Sequence, residues 1–139
     1  MKLNYMIEVM RFASNAKELG FIKDLNNVFR EIDIVISPFS KPHFSMPIVE
    51  AFAMGKPVIA TNIEGMDELI DNGVDGMLVE NNDPLALANA INSLSKNLSK
   101  QKLLGFNGLK KAEKRFSPGN IKQIEGVYAE ILTKVINLG

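Results

Sequence analysis

Residues 32–61 read IDIVISPFSKPHFSMPIVEAFAMGKPVIAT, and this stretch decides the fold. Its opening, IDIVIS at 32–37, holds the β-branched residues Ile32, Ile34, Val35 and Ile36 and stops at Pro38. A short continuous apolar run of this kind suits a strand buried on both faces. PVIAT at 57–61 is a second such run, and GMLV at 76–79 is a third. Between the first two lies PIVEAFAM at 47–54. It carries a proline where a helix start tolerates one and Gly55 just past its end.

Outward from this stretch the same order repeats. Asp24 precedes Leu25, Val28, Phe29 and Ile32, apolar at steps of three and four, which predicts a capped helix. Upstream, residues 4–14 read as a helix and residues 17–20 as a short strand. Residues 65–72 form another short helix, closed by Gly73. From residue 83 the chain becomes helical throughout. Asp83-Pro84 opens a helix whose buried face is expected at Leu85, Leu87, Ala88, Ile91 and Leu94. Residues 99–116 make a second, with Leu103, Phe106, Leu109 and Phe116 on one side and Gly105 and Gly108 weakening it by about 1 kcal/mol each. Ser117-Pro118 starts a third. Strands alternating with helices imply an α/β class, a Rossmann-like parallel sheet of about four strands with helices on both faces and a C-terminal helical tail at 83–139. The 139 residues suit one domain, 1–139.

Composition narrows the function. Sixteen basic residues balance sixteen acidic ones, so no global charge points to nucleic acid. There is no cysteine, which excludes a disulfide scaffold and a thiolate metal site, and the single histidine, His43, excludes a histidine zinc cluster. No apolar run reaches the ~20 residues of a membrane span. Asn4, Glu8 and Arg11 interrupt the N-terminal segment, unlike a signal peptide, so a cytoplasmic location is expected. The charges are unevenly placed. Residues 64–83 hold Glu64, Asp67, Glu68, Asp71, Asp75, Glu80 and Asp83 and no base. Residues 96–115 hold Lys96, Lys100, Lys102, Lys110, Lys111, Lys114 and Arg115 against Glu113. Two solvated faces are the plain reading. The sharper one is peripheral contact of Lys96–Arg115 with an anionic partner or the inner membrane face.

In open parallel sheets, ligands sit at the carboxyl ends of strands. Loops 20–24, 37–47 and 61–65 qualify. The middle one, SPFSKPHFSMP, runs eleven residues where such connections usually take 2–6, and long loops in compact domains are commonly functional. The helix it feeds offers backbone N–H groups and a positive dipole end to an anion such as phosphate. Glu50, three residues after Pro47, is read on the first turn of that helix. Its chemistry leaves two readings open: compensation of the helix dipole, or bidentate acceptance from two vicinal hydroxyls such as those of a ribose.

The segments PIVEAFAMGKPVIAT, GMDELI and GVDGMLV, in this order and spacing, resemble the nucleotide-sugar-binding half of GT-B-fold glycosyltransferases, particularly the family 4 group. Upstream, ELGFIKDLNNVFREIDIVISPF resembles that family's loop-helix-strand unit, and DPLALANAI and RFSP…VYAEIL resemble its closing helices. The resemblance covers about residues 15–135. It implies transfer of a sugar, with retention, from a nucleotide diphosphate sugar to a saccharide or lipid-linked acceptor, as in polysaccharide biosynthesis, with no metal cofactor. By the same resemblance Glu50 grips the donor ribose, and Phe44, Ser45 and Met46 form the loop whose amides approach the donor sugar and diphosphate. Phe21, Ile22 and Asp24 lie beside the base, His43 meets phosphate or sugar, and Glu68 is the acid of the G-x-x-E turn, whose plain reading is a surface carboxylate.

Two departures matter. Pro42 stands where the family's first glutamate is expected, so no catalytic residue is assigned, and His43 and Ser45 replace glycines. Glu31 and Lys41 lie nearby in sequence, and nothing makes either the substitute. The family's acceptor domain and the Arg/Lys pair at the diphosphate also have no counterpart, so the chain alone is expected to bind donor weakly. The competing reading is a degenerate, non-catalytic module that pairs with a separate acceptor-domain polypeptide or forms a homo-oligomer. A receiver-like doubly wound domain fits poorly, because Asp33 precedes its strand instead of ending it.

Overall fold

The structure, a computed structural model, describes residues 19–116 apart from Asp24, His43 and Phe44, together with Gly119. The expected helices at 4–14 and after Ser117-Pro118, the Asp24 cap, and Lys17 and Glu18 of the expected 17–20 strand lie outside the described residues. Leu19 and Gly20 have no regular structure.

In chain order the elements are α1 (Leu25–Glu31), β1 (Val35–Ser37), α2 (Met46–Ala53), β2 (Val58–Asn62), α3 (Met66–Leu69), β3 (Met77–Glu80), α4 (Pro84–Ser95) and α5 (Leu98–Arg115). The described residues hold three strands, paired in parallel in the order β1-β2-β3. Val35 lies opposite Val58, and Ile59 opposite Met77. Alternation along β2 then builds two cores. Val58 and Ala60 pack with Phe29, Ile48, Phe52, Met66 and Ile70 on one face. Ile59 packs with Val79, Ala90, Leu94 and Leu104 on the other. Both faces are covered, which is why the strands read as unbroken apolar runs.

The helical tail follows its caps, and its expected face on α4 but not on α5. Asp83 accepts from the Ala86 N–H at 2.8 Å, closing the start of α4. Asn97, not read as a cap in the sequence, does the same for α5 through Lys100 N–H at 2.9 Å. On α4 the expected Leu87, Ile91 and Leu94 face inward, joined by Ala86 and Ala90, while Leu85 and Ala88 are exposed. On α5 the face is reversed. Leu103 and Phe106 are 57% and 54% exposed, and Leu104, Gly105, Gly108 and Ala112 are buried. The two glycines are the packing face. A Cβ on Gly108 would lie 2.6 Å from the Phe52 ring, and one on Gly105 would collide with the Gly55 carbonyl.

Most of both charge blocks is exposed, as the plain reading has it, but the two meet around Asp75 and Lys111. The Lys111 ammonium pairs with Asp75, whose side chain is 3% exposed, and with Asp71 at 2.8 Å, and it donates to the Leu69 carbonyl at 3.0 Å. Asp75 also accepts from the Asp71 N–H at 2.8 Å. Arg115 donates to the Glu68 carbonyl at 2.7 Å, and Asn107 to the Val74 carbonyl at 2.8 Å. The inner edge of α5 thus clasps the acidic 68–75 segment. Among the described residues no helix is long and apolar enough to cross a membrane.

Gly105→Ala should lower the urea midpoint, with a cost of about 1–3 kcal/mol from overpacking. Helix propensity alone favours alanine by about 1 kcal/mol, so a rise in midpoint would show that α5 does not pack at this distance. A second expectation concerns acid. The hydrogen bond from Lys111, together with its charge, holds the Asp71 carboxyl below its ordinary 3.8. A lowered folded-state value means that this stabilisation is complete above 3.8 and is lost as pH falls through the lowered value. The gap in urea midpoint between the wild type and Asp71→Asn should therefore close on titration from neutral pH to about pH 2. Because Asp71 is largely exposed, the gap at neutral pH should be small.

Candidate functional site

Parallel strands joined by helices place every helix start at the carboxyl edge of the sheet. The connections 38–45, 63–65 and 81–83 converge there, after β1, β2 and β3. The first is by far the longest, and side chains from all three strand ends hold it. The Ser37 hydroxyl, at the end of β1, approaches the Ser45 hydroxyl to 3.4 Å across the base of the loop, both residues buried. The Thr61 hydroxyl on β2 donates to the Phe39 carbonyl. Asn81, just past β3, donates its Nδ2 to the Ser40 carbonyl at 3.2 Å. The sequence reading missed all three anchors. They are small polar residues at strand ends, where periodicity carries no information; their shared place after each apolar run was the available clue.

The expected site residues fall as follows. Asp24, His43 and Phe44 lie outside the described residues. Ser45 is the residue before α2, in extended conformation, and its buried side chain turns to Ser37 without capping the helix. Its side chain therefore closes the loop and leaves only the backbone for any approach to a ligand. Met46 opens α2 and is 54% exposed. Ile22 is half-buried in the segment before α1, and its neighbour Phe21 is almost fully exposed. Pro42 is exposed in the loop, and Glu68 is exposed on α3, its carbonyl held by Arg115. Glu31 and Lys41 are exposed. Asp33 sits in the bend before β1, at the opposite edge.

Glu50 differs from its expected place. The helix begins at Met46, so Glu50 is in the second turn, and no acid stands in the first. The dipole effect fades within the first turn, which removes most of the reason to read this carboxylate as its compensation. Met46 and Glu50 lie four apart and so share a side of α2. Ile48, Ala51 and Phe52 are buried against the core. Glu50 is half-buried, yet its carboxylate makes no hydrogen bond or ion pair with another described residue.

The helix opening itself offers fewer donors than its position suggests. Pro47 has no N–H, and the Ile48 and Val49 N–H groups bond the Ser45 carbonyl at 3.1 and 3.4 Å. Of the first turn, only the Met46 N–H has no acceptor among the described residues. An anion at this edge would thus meet one helix amide, the helix dipole, and amides of the preceding loop.

Comparison with known proteins bears on the family and the fold. A family model described as glycosyl transferases group 1 matches residues 3–97. A D-inositol 3-phosphate glycosyltransferase of Corynebacterium kroppenstedtii is 31% identical over 112 residues, 81% of this chain and 25% of that protein. The UDP-Gal:alpha-D-GlcNAc-diphosphoundecaprenol alpha-1,3-galactosyltransferase of Escherichia coli is 31% identical over 123 residues, 82% of this chain and 32% of its own length. The crystal structure of HepE from Anabaena in complex with UDP matches with a TM-score of 0.81 and 30% identity, over 96% of this chain and 36% of that one. The chain therefore spans roughly a quarter to a third of the length of these relatives.

Proposed function

This chain belongs to the glycosyl transferases group 1 and carries part of the GT-B fold, and from that premise we propose that it is the nucleotide-sugar-binding part of a glycosyltransferase. The enzyme moves a sugar from a nucleotide diphosphate sugar to a saccharide or lipid-linked acceptor. The relatives support the donor class: HepE was crystallised with UDP, and the Escherichia coli relative is named for UDP-Gal and a lipid-linked acceptor. The observation that carries the reading is Glu50, a half-buried residue whose carboxylate has no described partner, on the helix fed by the pinned loop.

In this reading Glu50 accepts hydrogen bonds from the two ribose hydroxyls of the donor. A carboxylate offers two oxygens to two vicinal hydroxyls, and such charged hydrogen bonds are stronger than neutral ones. The backbone of Ser45 and Met46 faces the diphosphate and sugar, where the Met46 N–H and the α2 dipole favour negative charge. Ile22 lies on the side of the base. Transfer proceeds with retention and without a resident metal, with fixed donors meeting the charge that develops on the leaving diphosphate. Further cations and the acceptor site come from outside these residues, in the same enzyme or a partner polypeptide. Pro42 favours a second reading: without an acid at that position the module binds donor and performs no transfer.

The test is titration with UDP, GDP and ADP, followed by amide shifts and calorimetry. Glu50→Gln should weaken binding of the preferred nucleotide by about ten- to a hundredfold, the loss expected for charged hydrogen bonds, without moving the thermal midpoint. The variant should also lose the wild type's preference for the ribonucleotide over its 2′-deoxy form. Absence of shifts around Glu50 with all three nucleotides would overturn the reading. Binding that is normal in Glu50→Gln would remove Glu50 from the site. Binding without any donor turnover, once acceptor and the remaining polypeptide are supplied, would select the non-catalytic alternative.

A further inference from the structure

Two side chains left unused by the donor reading reach the 38–45 loop from different strands. Thr61 is buried on β2 and donates to the Phe39 carbonyl. Asn81 follows β3 and donates to the Ser40 carbonyl at 3.2 Å. We infer that Thr61 and Asn81 are positioning residues that clamp two consecutive loop carbonyls to the sheet and thereby orient the backbone that meets the donor. The inference rests on the nucleotide-sugar reading for its functional half only.

The geometry follows from peptide planarity. All described peptides are trans, so the N–H of each unit points opposite to its carbonyl. With the Phe39 and Ser40 carbonyls drawn toward β2 and β3, the N–H groups sharing those units, on Ser40 and Lys41, face away from those strands. The clamp thus decides which polar edge of the loop is presented outward. Prolines at 38 and 42 restrict the backbone on either side of the clamped pair, so the loop's remaining freedom is concentrated where the two side chains act. Asn82 turns the chain with φ of 59°, a left-handed conformation that asparagine tolerates. Neither bond belongs to a strand ladder, since both acceptors are loop carbonyls.

The experiment uses the ligand-free 139-residue chain and its complex with UDP, for wild type, Thr61→Val, Thr61→Ser and Asn81→Ala. Amide hydrogen exchange in residues 38–45 should rise about two- to tenfold in Thr61→Val and in Asn81→Ala, the range expected for losing one hydrogen bond. Exchange in β2 should rise less than in the loop, and the urea midpoint should fall by no more than the loss of that one bond accounts for. Thr61→Ser, which keeps the hydroxyl, should restore the loop. The dissociation constant for UDP should rise by a similar factor in the two clamp variants and return in Thr61→Ser. Unchanged loop exchange overturns the clamp. So does a rise across all three strands as large as that in the loop, which would make both residues merely structural. A loosened loop with unchanged UDP affinity overturns the positioning role. A wild-type chain that binds none of UDP, GDP and ADP overturns the nucleotide-sugar reading alone, and the exchange measurements still decide whether the clamp exists.

Discussion

The structure depends on how closely α5 lies against the segment from Phe52 to Gly55. Gly108 leaves room for the Phe52 ring, and Gly105 leaves room for the Gly55 carbonyl. Hydrogen is the only side chain that fits at either place, so the contact is set by backbone approach and by one aromatic ring. From that approach follow the burial of Leu104 and Ala112 and the alignment of Lys111 with Asp75. It also sets the seating of α2. Phe52 is fixed from both sides, by the sheet-face core and by α5. Glu50, two residues earlier on the same short helix, takes its position from that seating. A contact far from the carboxyl edge therefore governs the placement of the residue most concerned with binding.

Much of the architecture could be read directly. The strands stood out as β-branched runs because both faces of the sheet are covered, and Pro47, Gly55 and the Asp83-Pro84 pair marked helix ends through local backbone chemistry. The face of α5 was hidden for a physical reason. Leu103 and Phe106 look like core by hydrophobicity, whereas the true contact uses glycines whose value lies in the space they leave. Lysine 110 sits 4.4 Å from the Phe106 ring centre, so part of that exposed apolar surface is covered by a neighbour on the same helix. The two charge blocks read as solvated, as most of both is, but sequence distance conceals that they meet, 36 residues apart between Asp75 and Lys111.

The site was legible unevenly. Glu50 emerged from its motif, and the loop from its length. The displacement of Glu50 to the second turn was invisible, since one residue at a helix start turns on the conformation of Ser45. The anchors Ser37, Thr61 and Asn81 were equally hidden, because their role exists only once three strand ends lie side by side. Together they show how a site can be built with few specialised residues. The strand ends supply attachment points, the loop supplies backbone, and one carboxylate supplies directional recognition.

The Asp75–Lys111 pair has an implication for how this chain can diverge. Asp75 is buried and Lys111 lies half-buried over it, while Lys111 also pairs with the exposed Asp71. Loss of Lys111 alone would strand the Asp75 carboxylate in the interior, at a cost that a small domain rarely tolerates, whereas loss of Asp75 would leave Lys111 with Asp71. The dependence in descent therefore runs one way. Related chains that keep an acid at the Asp75 position should keep a base at the Lys111 position, and a survey showing the base drifting freely while the acid stays would contradict the coupling.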